Sequence, residues 1–206
     1  MAFQVKTIDN KNQIETCESF EITYFYPCTT GYQPKSYGWM GYLKEKGFFV
    51  KLVCEEKAPL RVYQNNRDRV CEESAMEIFM AFPEEGEALT VDCMYTNFEI
   101  NANGAIYAKF GKGRNNRSFI SEETCELMEC TAQVDEDKWS LEFVIPEKYL
   151  YEICALDEIK AGRSFYFDFF KIAENKEIEH YGICAPSKNE KPNFHYPNDY
   201  MEAVIV

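Results

Sequence analysis

The chain has 206 residues, with 35 acidic against 22 basic side chains, a formal charge of −13, and 46% hydrophobic and 16% aromatic residues. That apolar content excludes a disordered chain, and the length suits one domain that buries roughly 70% of its unfolded surface without needing disulfides. The acidic excess excludes DNA or RNA as the main partner, because a phosphate backbone is held by clustered Lys and Arg.

Residues 1–12 are polar and read as a loosely ordered start, with no apolar signal region and no membrane-spanning run. As written the chain reads as cytoplasmic; trimmed of a leader it would look the same and be extracellular. Short runs of aromatic and β-branched residues follow at 20–26, 47–54, 59–64, 75–82, 89–100, 104–110, 138–145, 163–172 and 178–184, each bounded by turn residues. The Asn101-Ala102-Asn103-Gly104 turn offers residues that tolerate φ > 0, so the runs on either side form a hairpin. Trp139, Leu141, Phe143 and Ile145 share one face at a period of two, the signature of a strand with one buried side. Helical patterning is confined to short pieces, the best being 146–152, where Pro146 suits a first helical position. The pattern predicts a single all-β domain over 1–206: an antiparallel, jelly-roll-like β-sandwich of nine to eleven strands with one or two short helices.

The nine cysteines occur singly, several inside apolar runs, and read as free, buried thiols of a reducing compartment. Cys125 and Cys130 lack a second ligand pair for zinc. Cys184 and His180, four apart in a strand, lie about 13 Å from one another, too far for thiol activation. His195 could reach Cys184 only through folding, and a buried structural cysteine is the default. Glu77 stands out because its strand otherwise carries no charge. At period two it shares a face with Phe79 and Ala81, where a carboxylate either projects to solvent or holds a polar ligand. In the segment 181–197, aromatics alternate with hydrogen-bonding groups in a Pro-rich loop. This composition suits sugar rings, whose C–H face packs on an aromatic while polar groups take the hydroxyls; it equally suits a loop stapled to the core by Phe194 and Tyr196.

Four segments in chain order resemble family-9 carbohydrate-binding modules, in particular a divergent subgroup of about this length. Residues 70–79, with Glu73-Ser74 ahead of Glu77 and Phe79, are similar to the family's Asp-Ser strand. Tyr95-Thr-Asn97-Phe98-Glu99-Ile-Asn101 with Gly104 resembles its Tyr-x-Asn-Phe-Glu-x-Asn hairpin. Trp139-x-x-Glu142-x-x-Ile145-Pro146 and Phe194-His195-x-Pro197 resemble two later elements, while residues 1–60 fit only through their strand pattern. The resemblance implies a non-catalytic module that binds the end of a mono- or oligosaccharide between two aromatic rings, in carbohydrate breakdown, with no catalytic residue. The implied sugar site is Glu77, Asn97, Asn101, Phe194 and His195.

Three departures bear on it. Cys71 stands where a stacking Trp is expected, Phe194 replaces a second Trp, and Glu99 takes the place of an Arg. Tyr24, Tyr32, Tyr37 or Trp39 are candidates for the missing ring, although packing of Trp39 at the rim of the sandwich is the favoured reading. Some family members carry structural calcium, but no Asp/Asn cluster here has an assignable ligand pattern, and no cofactor is expected. The expected partner is a sugar, with neither nucleic acid nor membrane. Two alternatives stay open: a glycoside hydrolase using paired carboxylates, and a protein-interaction sandwich that has lost its sugar site.

Overall fold

The computed structural model describes residues 1–84, 87–154, 156 and 158–206. Among the described residues fifteen strands, several of only two or three residues, form two stacked sheets. In chain order they are β1 (Phe3–Val5), β2 (Thr7–Ile8), β3 (Ser19–Glu21), β4 (Tyr24–Phe25), β5 (Ser36–Leu43), β6 (Gly47–Cys54), β7 (Ala75–Ala81) and β8 (Met94–Asn101). There follow β9 (Ile106–Lys112), β10 (Asn116–Phe119), β11 (Thr131–Val134), β12 (Trp139–Pro146), β13 (Ser164–Ala173), β14 (His180–Ile183) and β15 (Met201–Ile205). The larger sheet runs β1-β15-β13-β7-β8-β9-β10, with β14 and β4 added beside the upper part of β13; the smaller runs β11-β12-β6-β5-β2, with β3 on β5.

The alternation within strands builds the core. Met76, Ile78 and Met80 on β7, Phe98 and Ile100 on β8, and Phe165, Phe167 and Phe169 on β13 face Phe48, Val50 and Leu52 on β6 and Trp139, Leu141, Phe143 and Ile145 on β12, all buried. Among the described residues two α-helices pack against β12, one of them also against β6 and β8. In α1 (Glu122–Leu127) the Ser121 side chain accepts from the Thr124 N–H as N-cap, and α2 (Glu147–Cys154) starts directly where Pro146 closes β12.

Several expectations change. The first dozen residues are tied into both sheets: β1 pairs parallel with β15 and β2 parallel with β5, so the sandwich is mixed rather than purely antiparallel. Run 20–26 splits into β3 and β4, and the aromatic-rich segment around Trp39 is a full strand, β5. Residues 59–64 form no strand, because the Val62 and Tyr63 N–H groups bond to the Glu73 carboxylate rather than to a neighbouring strand.

One inward position of β13 is charged. Lys171, wholly buried, donates to Ser74 Oγ at 2.8 Å and His180 Nε2 at 2.9 Å, and lies 3.7 Å from Glu56. Glu56 in turn accepts from Trp139 Nε1 at 2.9 Å and from Ser74. Burial would raise the Glu56 pKa, but the Lys171 ammonium and the Ser74 and Trp139 donors outweigh it and hold the carboxylate below its usual range. Because Lys171 can only donate, His180 Nε2 accepts, and its Nδ1–H donates to the Ile178 carbonyl at 2.6 Å. This network joins Trp139 on β12 and Glu56, just past the end of β6, to Lys171 on β13, His180 on β14 and Ser74, just ahead of β7.

Breaking a buried pair by removing one partner leaves a bare charge, which typically costs about 3–5 kcal/mol. Urea denaturation of Glu56→Ala should show a loss of that order, and the double variant Glu56→Ala/Lys171→Met should lose less than the two singles summed. A single-variant loss below about 1 kcal/mol would mean that the network does not join the sheets energetically.

Candidate functional site

The site lies on the outer face of the larger sheet, above β7, β8, β9 and β10. Strand register sets out its rows. Glu77 pairs with Glu99 and Glu99 with Tyr107; Phe79 pairs with Asn97 and Asn97 with Lys109; Ala81, Tyr95, Gly111 and Arg117 form the next row. The period-two reading of Glu77, Phe79 and Ala81 is therefore met. This face does not open to solvent. Phe79, Ala81, Tyr95, Phe170, Phe194 and Tyr200 form a second apolar cluster over it, leaving all seven residues of β7 buried. Beside that cluster opens a cleft of about 770 Å³. Its floor holds Glu77, Glu99 and Arg117, and its walls come from Tyr107 and Lys109, from Ile172, Glu174 and Tyr181, from Cys28 and Cys71, and from Lys191, Phe194 and His195.

Glu77 and Glu99 stand side by side on neighbouring strands, 2% and 6% exposed. Burial first, then the charges of Glu99 and Glu174, push the Glu77 carboxyl well above the usual carboxylate range. Burial also raises Glu99 to about 7, against the pull of Arg117 and the bond from Asn97. Among the described residues Glu77 makes no hydrogen bond and no ion pair, although it is almost wholly enclosed and lines the cleft. Asn97 Nδ2 donates to Glu99 Oε1 at 2.8 Å, and its Oδ1 is buried without a partner.

Arg117 reaches the floor from the edge strand β10. Its guanidinium lies 4.6 Å over the Tyr95 ring, donates to the Lys109 carbonyl at 3.1 Å, and approaches His195 Nδ1 at 3.1 Å, leaving Nε unpaired. A guanidinium only donates, so His195 Nδ1 is the acceptor and the imidazole is neutral. Burial, then Arg117, Arg114 and Lys109, lower its pKa to about 3.

Three of the five residues read from the sequence, Glu77, Phe194 and His195, line the cleft, and Asn97 lies beneath it holding Glu99. Phe194 is 8% exposed and stacked on Phe170 at 4.2 Å and 13°, so one ring face is already covered. Asn101 is spent on structure. Its Oδ1 accepts from the Asn103 and Ala105 N–H groups, and its Nδ2 donates to the Tyr63 carbonyl and to Glu73. It fixes the predicted hairpin turn, in which Gly104 takes φ +80, and leaves nothing for a ligand.

None of the rings proposed for the place of Cys71 lines the cleft. Tyr37 and Trp39 sit on β5 in the other sheet, Tyr24 packs on Tyr26, and Tyr32 packs on His180. The half-buried rings present are Tyr107 and Tyr181. Cys71 has its thiol pushed up by burial and the surrounding carboxylates, and the Cys184 thiol, pushed up to about 12 by burial, is equally inert. All nine cysteines are free, and no group of His, Cys, Asp or Glu suited to a metal occurs among the described residues. Sequence reasoning did not single out Arg117, Lys109 or Tyr107, and it reached Tyr181 only as the first residue of the aromatic segment 181–197. The alternation along 104–110 carried Tyr107 and Lys109, whereas the polar stretch around Arg117 held no signal.

A family model described as carbohydrate-binding family 9 matches residues 5–204. No curated protein matches the sequence. Among solved structures, a proposed carbohydrate-binding protein from Bacteroides uniformis superposes with a TM-score of 0.79 at 17% identity, over 100% of both chains. A family-9 carbohydrate-binding module from Caldicellulosiruptor kristjanssonii in complex with cellotriose gives 0.63 at 12% identity, over 98% of this chain and 92% of that one. The same description with glucose gives 0.63 at 10% identity, over 98% and 95%. At these identities the likeness is one of fold.

The titrating groups of the site pull stability in opposite directions. Glu99 keeps its proton longer in the folded state, so its contribution is present below its ordinary value of 4.5 and is lost as pH rises through about 7. His195, held neutral, contributes above 6.5 and loses that as pH falls towards 3. Glu99→Gln removes only the first effect. Its melting temperature relative to the parent chain should therefore climb between pH 5 and pH 8; a constant difference across that range would show that Glu99 titrates normally.

Proposed function

The chain belongs to carbohydrate-binding family 9, and on that premise we propose that the cleft above β7–β10 binds the end of a mono- or oligosaccharide without cleaving it. The observation that carries this reading is Glu77: a carboxyl 2% exposed, facing a cleft and making no hydrogen bond or ion pair among the described residues, has given up most of its hydration without a protein hydrogen bond in exchange. A sugar supplies the replacement. Glu77 and Glu99 sit as neighbours on paired strands, with Cβ atoms about 5 Å apart, which suits adjacent hydroxyls of one ring. Arg117 donates where the carboxyls accept, and the half-buried faces of Tyr107 and Tyr181 offer apolar surface for the C–H side of a sugar. The glucose and cellotriose held by the Caldicellulosiruptor module make those two sugars the first to test.

The same pair of carboxyls bears on hydrolysis. Cleavage needs an acid and a base or nucleophile flanking the scissile bond from different sides. Glu77 and Glu99 rise together from one sheet face and approach a ligand from the same side, which favours binding over cleavage.

Calorimetric titration with glucose and cellotriose should give binding that weakens at least about tenfold in Glu77→Gln, a loss of roughly 1.4 kcal/mol. The melting temperature of that variant should be no lower than that of the parent chain, because an unpartnered buried acid contributes no stability. Unchanged affinity, or a fall in melting temperature, would make Glu77 a structural residue. Turnover of a chromogenic glycoside that disappears in Glu77→Gln would establish the hydrolase reading instead.

A further inference from the structure

The charges around the cleft are sorted by side. On the β13–β14 side, Arg69 is neutralised by Glu72 at 3.0 Å and Glu174 at 3.6 Å, and Glu179 accepts from the Tyr181 hydroxyl at 3.1 Å. On the β9–β10 side stand Lys109, Arg114 and Arg117, with Lys191 beside them on the C-terminal loop, and none of these has a carboxylate within 4.0 Å among the described residues. In a chain with 35 acids to 22 bases, four cations on one wall with no carboxylate within 4.0 Å among the described residues, Arg117 and Lys109 acting on Glu99 only at longer range, are an imbalance that solubility does not explain. Lys109 rests over the rings of Phe119 at 4.3 Å and Tyr107 at 5.0 Å, and among the described residues the one hydrogen bond of Arg114 is to Asn193 Oδ1 at 3.5 Å. Arg117, half-buried, keeps its Nε unpaired, and Arg114, Arg117 and Lys109 are the charges felt by His195 between them.

Resting on the sugar-binding reading, we propose that this wall recognises an anionic group on the sugar, so that the cleft takes a uronic acid in preference to a neutral sugar. The ring hydroxyls meet Glu77 and Glu99 while the sugar carboxylate meets Arg114, Arg117 and Lys109. A guanidinium favours a planar carboxylate, which the exposed Arg114 can bind in a fork while Arg117, with both terminal nitrogens already donating, adds its charge. The acidic floor and cationic wall together fix which way round the ring enters, since reversing it would set the sugar carboxylate against Glu77 and Glu99.

The test is calorimetry on the full chain with glucose, glucuronic acid and glucose 6-sulfate, at low and high salt. Glucuronic acid should bind about tenfold more tightly than glucose, the preference should shrink as salt rises, and Arg114→Gln should move the glucuronate-to-glucose ratio towards one. Arg114 is exposed and makes a single long contact, so the variant should retain its fold. Equal affinity for glucose and glucuronic acid would overturn the proposal and leave sugar binding standing. Tighter binding of the sulfate ester than of the uronate would overturn the choice of carboxylate. If none of the three sugars binds at millimolar concentration, the sugar-binding reading fails and this proposal with it.

Discussion

Two carboxyl groups side by side in a dry environment cannot both stay ionised at neutral pH, because desolvation and mutual repulsion act in the same direction. Glu77 and Glu99 are such a pair, and much of the surrounding structure answers to them. Asn97 donates to one of them, Arg117 leans in from the sheet edge, and His195 is kept neutral so that it adds no further charge beside the guanidinium. The dryness has its own cause. β7 is covered on its inner face by the second sheet and on much of its outer face by Phe170, Phe194 and Tyr200, so a charge on it is largely withdrawn from bulk water. A polar site built in this way is costly for the empty protein and strong for a ligand that satisfies it, since hydrogen bonds strengthen where water is excluded.

The inner face of the same sheet, one residue along the register, resolves the same problem internally, since Phe170 pairs with Glu77 and Lys171 with Met76. Lys171 is as deeply buried as Glu77, yet its donors are taken by Ser74, His180 and the Ile172 carbonyl, with Glu56 close by. One buried charge is closed off by the fold and the other is left open towards a cleft. That contrast, more than burial itself, is what supports the proposal that Glu77 binds a ligand while Lys171 serves the fold.

Much of the fold was legible because strand periodicity is a local property. The faces of β7 and β12, the Asn101–Gly104 turn and the helix after Pro146 follow from residue types within a few positions of each other. What was not legible depends on distant partners. The parallel pairing of β1 and β2 is decided by the β15 and β5 edges, and the failure of 59–64 to form a strand is decided by the carboxylate of Glu73. In the site, Glu77 was conspicuous as a lone charge in an apolar run, and His195 through its neighbours. Asn101 misled because the same side chain that marks a binding motif also makes an ideal turn clamp. Arg117 was invisible, because nothing in a polar hairpin tells which of its side chains folds back over the sheet.

Whether a sugar binds on the outer face of the larger sheet can be read from backbone amide NMR shifts of the full chain during titration with glucose, cellotriose or glucuronic acid. Binding there shifts Glu77, Asn97, Glu99, Tyr107, Lys109, Arg117 and the segment 191–195, with β5, β6 and β12 unmoved. Shifts centred on the smaller sheet, or on the second cavity beside Lys160 and Tyr166, would contradict it.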